Sequence, residues 1–427
     1  MNAINSQSKS TKVSDFDKDA PVNPLVDAKA RILTSGIGVD FEMLKKIEDY
    51  KKEDFTYDSA HHLGKTEKHL VPQEILISDS KGHTSAVSCI NYNNSKYLLT
   101  SKDGELVIVD KATGEPLQVK VELPKQPEFR NMKTIDGLPV NRIISNCGLC
   151  ELNVWLWHDC AFYTKGKACK FCGINAIANQ FKNQDLLRIS DIIDMSDAVF
   201  DSWWNQKKDF VIRNTVDALA KALKYSFSGH KHIIFTAGSS VSTDLQWKIY
   251  NDVVKAIDEQ VAQLSKLDVT IILTPPKDLR LLEPVAAFGL KYAFNMEVFD
   301  PVIFERINPG KAEYVGRAHY FEAYKRAVEL AGEGRVWGGF ILGLEPFESL
   351  LNGVRQLGEM GVASGANILH LDEGNTLPNE IKPPTYEDTI KFFHEYGELA
   401  RNNGLRPFFC EKAMRTSLNH EAFMGLI

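Results

Sequence analysis

The sequence predicts an α/β protein: a partial (β/α)6 barrel of TIM type, preceded by a small N-terminal β-rich accessory unit. Two observations predict it. From about Arg142 to Arg406, six short β-type runs are each followed by a helical segment, the pattern of a parallel sheet with right-handed crossovers. Upstream, from Glu74 to about Glu122, the runs EILIS, AVSCINY, YLLTS and ELVIVD succeed one another, with tight turns at Asp103-Gly104 and Thr113-Gly114. At 427 residues the chain is long enough for both.

Taken in order, residues 1–28 read as a disordered tail: polar, punctuated by Pro21 and Pro24, without periodic apolar spacing. Residues 29–140 form the β-rich accessory region, with a short amphipathic helix from Phe41 to Lys52 and Cys89 as a buried core thiol. Pro124, Pro127 and Pro139 mark the passage to the barrel, residues 141–380. Its expected strands are Leu152–Trp157, His232–Thr236, Val269–Leu273, Tyr292–Val298, Val336–Leu342 and Ile368–Leu371. The helices expected between and after them include Leu245–Leu264, Leu279–Phe288, Glu313–Ala331, Glu348–Met360 and Tyr386–Asn403. The long segment 173–231 has room for about two helices. Residues 381–427 supply a C-terminal helix and a tail covering the barrel, with Cys410, Lys412 and Arg415 placed to fold back over its mouth. In such a barrel, function belongs where strands end and βα loops begin.

The apolar fraction is 44%, the charged fraction 25% and the net charge −6, which gives no general attraction to nucleic acid or anionic membranes. No apolar run approaches the roughly 18 residues of a spanning helix, and the N-terminal stretch lacks the apolar core of a signal peptide. A cytoplasmic protein is expected, with its oligomeric state open. Seven cysteines in such a chain point to metal or catalysis rather than to a disulfide framework.

Five of those cysteines fall within residues 147–172. Cys160, Cys169 and Cys172 are spaced C-x8-C-x2-C, just after the first expected barrel strand, and the aromatic Phe171 precedes the last. Three thiolates on one loop can hold three irons of a [4Fe–4S] cluster, leaving the fourth iron open to a small molecule. A second reading is open: Cys147-x2-Cys150 followed by Cys169-x2-Cys172 has the spacing of a four-thiolate zinc site. A structural role for Cys147 and Cys150, or an auxiliary metal site shared with Cys410, is open as well.

The loop, with its aromatic residue before the final cysteine, resembles that of the radical S-adenosylmethionine enzymes. Their usual spacing is C-x3-C-x2-C, so the first gap here is longer. The downstream order agrees over roughly Asn146–Glu373, most like the biotin-synthase-like and hydrogenase-maturase-like branch. HIIFTAGSS stands where the family has its GGE motif: Gly238 is kept, while Ser239 and Ser240 replace Gly-Glu. FNMEVFD resembles the ribose-contacting position, with Asn295 and Glu297 expected on one face of a strand and Arg317 on the next helix as the partner of the cofactor carboxylate. GGFILGLEP resembles the adenine-packing motif through Gly339, Ile341 and Gly343, with Glu345 one residue early.

The resemblance implies two cofactors, a [4Fe–4S] cluster and S-adenosylmethionine. It further implies a 5′-deoxyadenosyl radical acting on a small-molecule or peptide substrate, and a reducing donor such as flavodoxin or ferredoxin. His370, Asp372, Glu373 and Asn375, after the sixth strand, are candidates for substrate contact. Trp157 and His158 abut the loop as shields or hydrogen-bonded neighbours.

Overall fold

The computed structural model describes residue 16 and residues 21–52, 63, 65–174, 185–226, 231–408 and 412–427. Most of the expected tail lies outside these residues, but its boundary at 28 does not hold. A helix runs Pro24–Ser35, with Asn23 capping its first turn and proline at its start. Leu25, Val26 and Ala28 are buried in the core. The helix expected at Phe41–Lys52 is one turn, Phe41–Leu44, capped by Asp40.

Two small sheets follow. One is mixed, with β1 (Ile37–Val39) parallel to β4 (Tyr97–Lys102) and β4 antiparallel to β5 (Glu105–Asp110). The other is antiparallel, with β2 (Glu74–Ser78) between β3 (Thr84–Ser88) and β6 (Lys120–Glu122). Cys89, just past β3, is buried.

The main sheet has seven strands: β7 (Ile144–Cys147), β8 (Glu151–Trp155), β9 (His232–Thr236), β10 (Asp268–Ile272), β11 (Lys291–Ala293), β12 (Val336–Leu342) and β13 (Ala363–Ile368). They lie in chain order, and β8 to β13 are parallel throughout. This is the expected partial TIM-type barrel, with β7 added as an antiparallel hairpin partner of β8. Period-two alternation turns Glu151, Asn153 and Trp155 of β8, Ile234 and Thr236 of β9, Trp337, Gly339 and Ile341 of β12, and Gly365 and Asn367 of β13 toward the interior cavities.

Helices cover the outside. In the helix Thr243–Gln260, Gln246, Tyr250, Val253 and Ile257 recur at helical spacing and are buried. Large aromatics carry polar tips that must find partners when buried, and strand-end carbonyls supply them. Trp247 Nε1 donates to Thr274 O at 2.8 Å, Tyr250 OH to Thr236 O at 2.7 Å, and Tyr396 OH to Ser364 O at 2.9 Å. Across the 173–231 segment the described residues hold one long helix, Asp197–Tyr225.

Two strands end differently from expectation. β11 stops at Ala293; beyond an irregular stretch holding Asn295, Glu297 rejoins β12 through a parallel bridge to Phe340 and adopts φ +70°. The sixth strand is Ala363–Ile368, five residues earlier than Ile368–Leu371. The expected Glu313–Ala331 helix is two, Pro309–Tyr314 and Arg317–Ala331, broken at Gly316 with φ +85°.

The described C-terminal strip runs along the barrel, and its Thr416 lines the cavity at the strand ends. It crosses from the β7–β8 hairpin to β13: Lys412 O accepts from Leu149 N at 2.9 Å, and Thr416 O from Ile368 N at 2.8 Å. Gly148 makes room, because a Cβ there would collide with the Lys412 carbonyl. A buried ion pair joins the N-terminal helix to the last one, Lys29 Nζ to Glu421 Oε1 at 2.8 Å, with Ser85 and Met414 O as further partners. Cys410 lies outside the described residues.

Candidate active site at the strand ends of the barrel

The cysteine loop begins where β8 runs out. His158 is buried, with Nδ1 at 2.6 Å from Asp185 Oδ1 and its ring stacked on Trp155. Trp157 Nε1 donates to Gly238 O at 2.9 Å. Both are neighbours of the loop and not ligands in it. Cys160 precedes one helical turn, Ala161–Thr164, whose first amide donates to Ser239 O at 2.8 Å. A side chain at Gly238 would collide with the Asp159 carbonyl, so glycine there lets the end of β9 close onto the root of the loop.

The long gap between Cys160 and Cys169 is used for anchoring. Phe162 stacks on Tyr314 at 5.7 Å, and Gly310 N donates to Lys167 O at 2.9 Å. Lys170 N donates to Ile307 O at 2.9 Å, and Thr376 N donates to Lys170 O at 2.6 Å. A turn with Cys172 N on Cys169 O at 3.1 Å closes the C-x2-C step, and Tyr163 OH donates to Cys172 O. The eight-residue gap thus ties the loop to β9 and to the helix Pro309–Tyr314, and Lys170, between the last two cysteines, ties it to the segment after β13.

All three cysteines line one cavity of about 270 Å3 at the strand ends. Phe171, Gly238, Ser239, Asn295, Glu297 and Ile341 line it too, as do His370 and Asp372, which lie 3.4 Å apart. The sulfurs face the cavity but are otherwise enclosed. Burial pushes each thiol up to about 12; repulsion from Cys172 adds to this at Cys160, from Cys160 at Cys169, and from Cys169 at Cys172. At Cys169 the Lys311 charge opposes the shift. Three thiolates in this enclosure therefore require a cationic centre among them. Among the described residues, no three His, Cys, Asp or Glu side chains close on a point as a single metal ion requires.

The four-cysteine zinc set is not supported. Cys147 and Cys150 flank the hairpin at the opposite end of β8, where Cys150 O accepts from His232 N at the start of β9. The length of β8, about 13 Å at 3.3 Å per residue, separates that end from the loop. Asn153 Nδ2 approaches Cys147 Sγ at 3.4 Å.

Three expected residues stand apart from the cavity lining. Arg317, first in its helix, donates from Nε to Phe299 O at 3.1 Å and stacks over the rings of Phe299 and Phe321. The helix break at Gly316 sets it there. Glu373 accepts from Lys68 Nζ at 3.4 Å, and Asn375 donates to Asp372 O at 2.7 Å in the turn after β13. Glu345 is structural, taking the amides of Phe299 and Asp300 on its carboxylate.

Lys311 was missed by the sequence reading. It comes from the helix Pro309–Tyr314, where Gly310 packs flush on Phe162 and Lys167. Nζ donates to Asn295 O at 2.6 Å and lies 3.2 Å from Glu297 Oε1. Burial works against its charge, but Glu297, Tyr320 and Cys169 outweigh it, and the pKa is raised. The left-handed backbone at Glu297, held by Glu297 N on Gly339 O at 2.9 Å and Ile341 N on Glu297 O at 3.0 Å, sets the carboxylate against this ammonium. The only sequence signal was a lysine just after Asn-Pro-Gly, a helix start downstream of the fourth strand. Tyr163 and Tyr320 also line the cavity and were not anticipated.

No family model matches the chain. It is 27% identical over 241 residues to bacteriochlorophyllide c C-7(1)-hydroxylase of Chlorobaculum limnaeum, covering 55% of this chain and 56% of that protein. The chain thus spans about half the length of that curated relative. Among solved structures it is similar to coproporphyrinogen III oxidase of Escherichia coli, a radical SAM enzyme, at 14% identity and TM-score 0.37, covering 62% of this chain and 55% of that one. It is also similar to a radical SAM methyltransferase of Sphaerobacter thermophilus, at 12% identity and TM-score 0.37, covering 82% of each. At those scores no residue's role transfers. Among the described residues, no helix is long and apolar enough to cross a membrane. The six parallel strands, and a loop that carries three cysteines to one cavity at their ends, are features of this chain itself.

Proposed function

We propose that Cys160, Cys169 and Cys172 hold three corners of a [4Fe–4S] cluster and that the facing wall of the cavity holds S-adenosylmethionine. Bound together, these two would supply reductive cleavage of a carbon–sulfur bond and a 5′-deoxyadenosyl radical able to take hydrogen from a substrate. The observation that carries the reading is that all three cysteines line one cavity with Gly238, Ser239, Asn295, Glu297 and Ile341.

The chain's own residues have distinct tasks in this reading. Gly238 and Ser239 hold the root of the loop and present strand-end backbone to the cofactor. Ser239 Oγ is itself fixed by Thr274 Oγ1 at 2.7 Å. Glu297 accepts from ribose hydroxyls or the ammonium, and Lys311 supplies the cavity-wall cation first sought at Arg317. Ile341 and Phe171 pack on flat or apolar parts of the ligand. Phe162, Tyr163 and Tyr320 close the surroundings against water, which a carbon radical demands. His370 and Asp372 remain candidates for a polar group of the substrate. The donor is a small reducing electron carrier of the flavodoxin or ferredoxin kind, and the substrate a small molecule or peptide. The strand-end motifs resemble most those of the biotin-synthase-like and hydrogenase-maturase-like branch.

The test is anaerobic reconstitution with iron and sulfide, followed by electron paramagnetic resonance of the reduced protein. A [4Fe–4S] signal that changes on adding S-adenosylmethionine is expected. Cys160→Ala, Cys169→Ala and Cys172→Ala should each lose it. A protein that binds about one zinc and no iron would sink the proposal.

A further inference from the structure

Beneath the cavity at the strand ends the barrel encloses a second chamber of about 230 Å3. Trp155, Thr236, Ile272, Asn295, Glu297 and Asn367 border both spaces, so the two communicate. The pairing register puts Trp155, Thr236 and Ile272 on one level, and Glu151, His232 and Asp268 on another about 13 Å lower. Trp337, Phe408 and Met414 pack together, with the rings of Trp337 and Phe408 at 5.6 Å. The strip Ala413–Thr416 forms one side.

Glu151 is the conspicuous group in this chamber. Its side chain is half-buried and faces the chamber, and among the described residues its Oε1 accepts from a neutral donor, Asn153 Nδ2 at 2.9 Å. Among the described residues it has no ion-pair partner within 4 Å. The cations whose fields reach it are committed elsewhere. Lys51 Nζ lies 2.6 Å from Glu74 Oε1, and Arg415 lies 3.4 Å from Glu74 Oε2 while bonding Gln73 O and Ser88 Oγ. His232 pairs with Asp268 at 3.2 Å. Burial raises the Glu151 pKa against the pull of Asn153, His232, Arg415 and Lys51, so those partners leave the charge under-compensated. A carboxylate of this kind is costly until a cation meets it.

We infer that this lower chamber is the substrate site, and that it takes a small primary amine whose ammonium group sits on the Glu151 carboxylate. The inference rests on the radical-enzyme reading only for the end at which the substrate reacts: the carbon that loses hydrogen lies at the Trp155–Thr236–Ile272 level, facing the upper cavity. Ile234, Ile272 and Phe340 give the carbon chain its apolar wall. The volume is below the roughly 300–1,000 Å3 of drug-sized pockets, which suits a ligand of amino-acid dimensions.

The test uses the reconstituted holoenzyme with n-butylammonium chloride as probe, n-butanol at the same concentration as neutral control, and Glu151→Gln as the isosteric uncharged variant. Butylammonium at about ten times its dissociation constant should raise the melting temperature of the wild type by about 1–2 °C. Butanol should give no rise, and Glu151→Gln should show none with either. Glu151→Asp, which keeps the charge on a shorter stem, should retain a smaller rise and guards against a Gln variant that folds poorly. Equal responses of wild type and Glu151→Gln, or a rise with butanol matching that with butylammonium, would overturn the assignment. The cluster signal is read on the same samples. Its absence from wild type would count against the radical-enzyme reading alone, because the amine shift is scored independently of it.

Discussion

Removing the Lys311 ammonium is the sharpest perturbation the structure offers. Lys311→Met keeps the stem and deletes a buried charge that bonds Asn295 O at 2.6 Å and faces Glu297 at 3.2 Å. The side chains of the pair are only 11% and 15% exposed, so solvent replaces little of what is lost. Breaking one half of a buried pair typically costs about 3–5 kcal/mol, chiefly because the other charge is stranded. At about 2.1 cal/mol/K per residue, 427 residues give an unfolding entropy near 0.9 kcal/mol/K. The loss should therefore lower the melting temperature of the metal-free protein by about 3–5 °C. Glu297→Gln in the Lys311→Met background should recover roughly half of that, since no carboxylate is then left alone. The assay is a double-mutant cycle by differential scanning calorimetry at neutral pH. A Lys311→Met protein melting within 1 °C of wild type, or a double variant worse than the sum of the singles, would refute the pair as described.

Further outcomes follow from other residues. With cluster loaded, Lys311→Met should weaken S-adenosylmethionine binding about tenfold or more, while Arg317→Lys should stay within about twofold; equilibrium dialysis distinguishes them, and the reverse ranking would restore Arg317 as the ligand. Gly238→Ala must push the Asp159 carbonyl away, so it should cost about 1–3 kcal/mol of stability and lose most of the bound iron, read by iron and sulfide analysis. The pH dependence of Glu151 has a definite sign. Its folded pKa is raised by burial, so the folded protein binds more protons than the unfolded chain between the two values. The contribution is full below the ordinary carboxylate value and is lost as pH rises through the raised one. Glu151→Gln should thus match wild type near pH 4 and exceed it by about 1–3 kcal/mol at pH 8 in denaturant titrations of the metal-free protein.

The barrel was readable because alternating β and helical periods survive wherever a strand is rich in branched residues. His232–Thr236 and Val336–Leu342 have the bounds their sequences suggested. The sixth strand was misplaced because ASGANI has little apolar bulk; its small residues serve close packing, with Gly365 against Asn419 and Ser364 O under Tyr396 OH. Asn295 and Glu297 were given a strand's alternation, and both reach the cavity, but from an irregular continuation of β11 in which Glu297 bridges Phe340 with positive φ. Lys311 and Glu151 were invisible for a different reason. Nothing local marks a lysine whose helix folds back on a loop 140 residues earlier, or a glutamate whose nearby cations are all engaged by other carboxylates. That Cys160, Cys169 and Cys172 meet at one cavity was legible because they are close in sequence on one loop after a strand.

The Lys29–Glu421 pair joins residues 392 apart in the chain. A contact of that span cannot form until almost everything between has been synthesised, so the final sealing of this molecule is a late event. Until then the flank of the barrel between β7 and β13 stands open. In the proposed reading, a cluster inserted before that stage would meet thiols whose surroundings are not yet closed.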